Sequence, residues 1–106
     1  YNGSDSTAIG AAQAILASGK SGLVVTTTDF QTDTEKFMRE GLITATVLQQ
    51  TVVIGRWGVR AAINYLEKRN VPSVLSTPLL LATKDSLGSI DMRGVRAPEG
   101  WKLPTR

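Results

Sequence analysis

The chain contains no cysteine and no histidine. Without a thiolate or an imidazole it cannot build a disulfide, a Cys/His zinc site, or a Ser-His or Cys-His nucleophile pair, so most familiar hydrolase mechanisms are excluded. Absence of cysteine permits an oxidising compartment without establishing one. Charge of one sign is not concentrated either: the net +3 comes largely from Arg56, Arg60, Lys68 and Arg69 in one segment and from Arg93, Arg96, Lys102 and Arg106 in the C-terminal stretch. No basic run is interleaved with aromatic residues, so no nucleic-acid partner is expected. No stretch approaches the ~20 apolar residues of a membrane span. Tyr1-Asn2-Gly3-Ser4-Asp5 lacks the charged and apolar regions of a signal sequence and reads as the end of a strand whose body lies upstream. What remains is 106 residues, 42% hydrophobic and 20% charged, the material of one small globular domain or a part of one.

Hydrophobic periodicity divides that material into alternating elements. Ser4 suits an N-cap and Asp5 a first turn, and Ala8, Ile9, Ala12, Ile15 and Leu16 recur at helical spacing before Gly19, which predicts a helix over 5–18. The β-branched run from Leu23 to Thr28 predicts a strand buried on both faces, with Asp29 at its carboxyl end. A short helix over 32–40 stops at Gly41, and Leu42 to Leu48 predicts a second buried strand ended by Gln49. From Thr51 to about Lys68 a helix carries apolar residues over more than half its circumference, with Gly55, Gly58 and Ala62 inside that arc, so it expects a large partner surface. Asn70 to Ser73 is a turn, Leu79 to Thr83 a strand, and Lys84 onward a Gly/Pro-punctuated tail in which Trp101 is the expected anchor. The alternating order argues an α/β fold with a parallel sheet and right-handed crossovers.

Ligands of open parallel sheets bind beyond the carboxyl ends of the strands. Ser4, Asp29 and Gln49 all fall there. A carboxylate accepts two hydroxyl protons while an amide both donates and accepts, so the set suits a polyol and calls for no proton transfer, no metal and no cofactor. Asp29 as a cap for the following helix, Gln49 as an ordinary strand-end polar group and Ser4 as an N-cap are the structural alternatives. Phe30, directly after Asp29, is a candidate ring against the ligand or a packing residue, whereas Trp57, on the apolar side of the helix from Thr51, suits packing in the core or against a partner surface better than stacking on a ligand.

These residues also carry a resemblance. Ser4-Asp5-Ser6-Thr7-Ala8-Ile9-Gly10-Ala11 resembles the Asn-Asp-x-x-Ala-x-Gly-Ala helix start of periplasmic sugar-binding proteins of the ribose/galactose type. Gly41-Leu42-Ile43-Thr44-Ala45-Thr46-Val47-Leu48-Gln49 resembles their Gly-x-x-x-Ala-Thr-x-x-Gln strand, and Leu81-Ala82-Thr83-Lys84-Asp85 after Thr77-Pro78 looks like their final Leu-Val-Thr-Lys-Asp strand. The resemblance covers roughly residues 2–86. It implies a three-layer, parallel-sheet lobe of the type I periplasmic-binding fold, here partial, in which Asp29 and Gln49 hydrogen-bond sugar hydroxyls and Ser4 takes the place of a ligand-binding asparagine. Two positions depart from the pattern: Ser4 itself, and Thr27 where glycine is usual, which puts a branched side chain near the pocket floor.

In that family two lobes close on the solute like a hinge. The resemblance therefore implies a C-terminal fragment: 1–50 part of the ligand-binding lobe, 51–75 a helix packed on the absent N-terminal lobe, 76–88 the terminal strand and hinge crossing, 89–106 a tail. The implied function is capture of a sugar or similar small polar solute in the periplasm for the membrane subunits of an ABC importer, without catalysis. The implied protein partner is the remainder of a parent chain, or self-association in its absence. The alternative is the effector-binding domain of a LacI-type transcription repressor, whose usual Pro-Glu-Asp and Arg-x-Ser segments are replaced here by Gly19-Lys20-Ser21-Gly22 and Thr83-Lys84-Asp85. An α/β enzyme fragment with Asp29 as base has no second catalytic group in view.

Overall fold

In the computed structural model, residues 1–95 are described, and Trp101 lies outside them. Their order is α1 (Asp5–Ser18), β1 (Thr26–Thr28), α2 (Thr32–Arg39), β2 (Ala45–Gln49), α3 (Thr51–Leu66) and β3 (Leu79–Thr83), followed by a 3-10 turn at Met92–Gly94. The described residues divide into two compact units, one of 1–49 and 79–90, the other of 50–78 and 91–95.

The first unit is a three-stranded sheet in the order β1-β2-β3 with helices α1 and α2. β1 and β2 are parallel, in the register Thr26 to Ala45, Thr27 to Thr46 and Thr28 to Val47. Ahead of α1, the Asn2 amide donates to the Thr26 carbonyl (2.8 Å), so the opening residues lie alongside β1. α1 meets its neighbours through the small residues Ala8 and Ala12, both fully buried, which let a helix backbone approach closely. Met38, Ile43 and Leu48 are the largest apolar side chains fully inside. Each is worth about 1.5–3 kcal/mol relative to exposure.

β3 departs from the parallel order. It runs antiparallel to β2, with Gln49 opposite Leu79 and Ala45 opposite Thr83. The alternation of helices and strands predicted a crossover, but a right-handed βαβ crossover needs its helix laid back on the same sheet. α3 instead belongs to the second unit, and the chain returns to the sheet at the end where it left. The predicted strand over 23–28 is also shortened. Its ladder begins at Val25, whose carbonyl accepts from Thr44 (2.8 Å), while Leu23 and Val24 are 49% and 74% exposed.

Leu42 and Ile43, expected in the second strand, instead close α2. Gly41, at φ +81°, donates to Met38 O (3.0 Å), and the amides of Leu42 and Ile43 both reach Phe37 O. That is a Schellman ending, in which a left-handed residue satisfies the last helical carbonyls.

In the second unit, α3 ends at Leu66 in the same way, with Lys68 at φ +57° and the Arg69 amide on Asn64 O (2.8 Å). The 3-10 turn is capped by Asp91, whose carboxylate accepts from the Arg93 side chain and backbone; those bonds hold its carboxyl at about 2. Thr51 Oγ1 donates to Val95 O (2.5 Å), tying the start of α3 to the end of that turn. Among the described residues no helix is long and apolar enough to cross a membrane.

Candidate functional site

β1 and β2 are parallel, so both present their carboxyl ends on one edge of the first unit. Asp29 follows β1 and Gln49 closes β2. The structure brings the two together: Gln49 Nε2 donates to Asp29 Oδ1 at 2.7 Å. Both residues are half-buried, which leaves them within reach of a solute while shielding the bond from competition by bulk water. The Asp29 amide continues the ladder by donating to Val47 O (2.9 Å), and there the chain turns with Asp29 at φ +75°. Aspartate tolerates that left-handed conformation better than most residues. Asp29 does not cap α2; that position belongs to Gln31, without a side-chain bond.

The second N–H of Gln49, its Oε1 and Asp29 Oδ2 stand outside the bond that joins the two residues. A carboxylate oxygen beside an amide that still offers a donor and an acceptor is a set for reading adjacent hydroxyls. The same groups make poor acid–base machinery, since an amide neither takes up nor releases a proton near neutral pH. Among the described residues no group of three or more His, Cys, Asp or Glu side chains is placed to hold a metal ion.

Ser4 occupies the N-cap position of α1 with extended backbone, but its hydroxyl makes no cap bond. Thr7 Oγ1 donates to Ser4 O at 2.8 Å instead, and Asp5 Oδ1 accepts from the Ser6 amide at 2.8 Å. The Ser4 hydroxyl lies 3.4 Å from Thr7 Oγ1 and is not joined to Asp29 or Gln49 by a hydrogen bond. Phe30 is half-buried beside Asp29. Thr27, at the position where the resemblance expects glycine, is 1% exposed and lies across from Thr46 in the sheet. Trp57 lines a groove of about 230 Å³ in the second unit, with Arg60, Ala61, Asn64, Val71, Pro72 and Leu75.

Sequence reasoning passed over one residue. Thr46 is 1% exposed, and its hydroxyl donates to the Asp29 carbonyl at 2.7 Å. The available signal was a pair of hydroxyl residues, Thr27 and Thr46, at interior strand positions where valine would pack as well.

The model of the periplasmic binding protein domain matches residues 1–70. Among solved structures, the chain is similar to an ABC transporter solute-binding protein from Agrobacterium vitis with bound D-fucose, at 31% identity and a TM-score of 0.80, over 89% of this chain and 33% of that one. It is similar to a carbohydrate transporter solute-binding protein from Agrobacterium radiobacter in complex with D-arabinose, at 25% identity and a TM-score of 0.75, over 83% of this chain and 30% of that one. A glucose-galactose binding protein from Geobacillus stearothermophilus matches at 25% identity and a TM-score of 0.73, over 76% of this chain and 29% of the other. Among curated protein sequences nothing matches the chain. The chain thus spans about a third of the length of the structures it resembles. With the family model covering residues 1–70, and parallel strands that bring Asp29 and Gln49 to one edge, the chain belongs to the periplasmic binding protein domain family.

Proposed function

We propose that this chain is the C-terminal part of a two-lobed receptor that captures a sugar or similar small polar solute outside the cytoplasm for an ABC importer. The observation that carries the reading is the bond between Gln49 Nε2 and Asp29 Oδ1, 2.7 Å long, at the carboxyl ends of two parallel strands. That edge is where open α/β sheets bind ligands, and the pair is chemically matched to vicinal hydroxyls. The bound D-fucose and D-arabinose named for two neighbours support a sugar as the solute. Ser4 and Phe30 complete the proposed contact set, Ser4 from the start of α1 and Phe30 from the turn after β1.

In this reading residues 51–75 carry the helix that packs on the other lobe, 76–88 the last strand and a hinge crossing, and 89–106 the tail. The exposure of Val59 (63%), Ile63 (48%) and Leu66 (79%) on α3 supports it, since an apolar face of that extent calls for cover. The protein acts as a binder without turnover, because Asp29 is paired with an amide and not with a second proton-transfer group. The repressor alternative is set aside because the neighbours are named as transporter or sugar-binding proteins.

The test is isothermal titration of the full receptor carrying this segment with D-fucose, D-arabinose, D-glucose and D-galactose. Saturable binding of at least one sugar, recovered chemically unchanged, is expected. Absence of binding across the panel refutes the sugar reading, and turnover abolished by Asp29→Ala refutes the non-enzymatic one.

A further inference from the structure

We propose that Thr46 is a positioning residue for the solute site: its hydroxyl holds the Asp29 backbone in the left-handed turn that delivers the carboxylate to Gln49. The proposal rests on the reading of Asp29 and Gln49 as the ligand pair and adds a residue that acts through them without touching the solute.

Asp29 is where β1 stops. Its amide still donates to Val47 O (2.9 Å), but its φ of +75° takes the chain out of the ladder. A carbonyl leaving a ladder at a half-buried position needs a new donor, since an unpaired polar group away from water is costly. Thr46 supplies that donor, Oγ1 to Asp29 O at 2.7 Å. The Thr46 side chain is on the buried side of β2 with Leu48, whereas Gln49 projects from the opposite side. β2 therefore grips Asp29 at three points: the Val47 carbonyl takes its amide, the Thr46 hydroxyl binds its carbonyl, and the Gln49 amide binds its carboxylate.

Two of those grips fix the backbone and one the side chain. Even for aspartate the left-handed conformation is less favourable than the extended one, and it persists where surrounding bonds over-determine it. Without the Thr46 hydroxyl, the Asp29 carbonyl is free to swing toward extended geometry, and the carboxylate swings with it. At 1% exposure the Thr46 hydroxyl has no outlet to solvent, so the bond to Asp29 is also what permits a hydroxyl at that interior position.

The experiment uses the full receptor carrying this segment, with Thr46→Val to remove the donor at constant shape, Thr46→Ala as a second donor-free variant should valine misfold, and Thr46→Ser to retain the hydroxyl. In the ligand-free protein, amide hydrogen exchange at Asp29 and the side-chain amide resonances of Gln49 report the grip directly. Valine or alanine should speed Asp29 exchange and shift the Gln49 signals toward those of a solvated amide, while serine keeps both near wild type. Unchanged exchange and unchanged Gln49 signals in a folded donor-free variant overturn the proposal. With D-fucose, D-arabinose, D-glucose and D-galactose as probes, affinity for whichever sugar binds wild type should fall about tenfold in the donor-free variants and recover in serine, the size expected for one lost hydrogen bond. In an Asp29→Ala background the same substitutions should change affinity no further. A purely packing role for Thr46 gives equal losses in both backgrounds and overturns the positioning claim. If Asp29→Ala leaves sugar affinity intact, or no sugar binds, the ligand-pair reading fails, and the ligand-free measurement still decides whether Thr46 holds Asp29.

Discussion

Asp29 adopts a left-handed conformation that costs most L-residues about 1–2 kcal/mol and an aspartate less, and three hydrogen bonds with one strand hold it there. In the proposed receptor its carboxylate makes charge-assisted bonds to solute hydroxyls, so Asp29→Ala should weaken binding by about 2–4 kcal/mol by calorimetry. Gln49→Ala removes neutral bonds and should cost less, about 1–2 kcal/mol in the same titration. Unchanged affinity in both variants would reduce the pair to a structural strand-end contact. Thr34 presents the opposite case. It is fully buried in α2, and among the described residues its hydroxyl finds no hydrogen-bond partner. Thr34→Val exchanges that hydroxyl for a methyl group and should stabilise the protein by about 1 kcal/mol in denaturant unfolding. A loss of stability would show that the hydroxyl is satisfied in solution.

At the level of elements, helix endings decide where the strands begin. Gly41 at φ +81° closes α2 and turns the chain toward β2, and a Cβ added there meets nothing within 4 Å. Gly41→Ala therefore isolates the backbone conformation from any clash and should destabilise by about 1–2 kcal/mol, measured by thermal or urea unfolding. A neutral result would mean that the turn tolerates another geometry. The strong helix stop at Gly41 was legible in the sequence, but its closing bonds take up Leu42 and Ile43, which composition alone had placed in the strand. At α3 the same closure uses Lys68, a residue with no left-handed preference, and so the predicted helix ran two residues beyond Leu66.

For the whole molecule, burial is incomplete in a patterned way. Among the described residues α3 has none that is buried, and Leu79 and Leu81 of β3 are 62% and 64% exposed. At about 1.5–3 kcal/mol for each large apolar side chain brought out of water, such surface favours association. On the proposed two-lobed reading, the chain by itself is expected to self-associate and to bind sugar poorly, since the proposed receptor draws contacts to its solute from both lobes. Light scattering checks this: a monodisperse, sugar-binding monomer of 11.3 kDa would contradict it.

The sequence by itself determined the element types, because hydrophobic period, glycine stops and β-branched runs act over a few residues. It also determined the residues at the strand ends, since Asp29 and Gln49 follow runs whose direction is set by chain order. Only the tertiary structure decided that these two residues meet, that Thr46 holds the first of them, and that β3 runs antiparallel. Those outcomes depend on register and on which unit α3 joins. Both are settled by pairing and burial between segments far apart in the chain, and no local pattern encodes them.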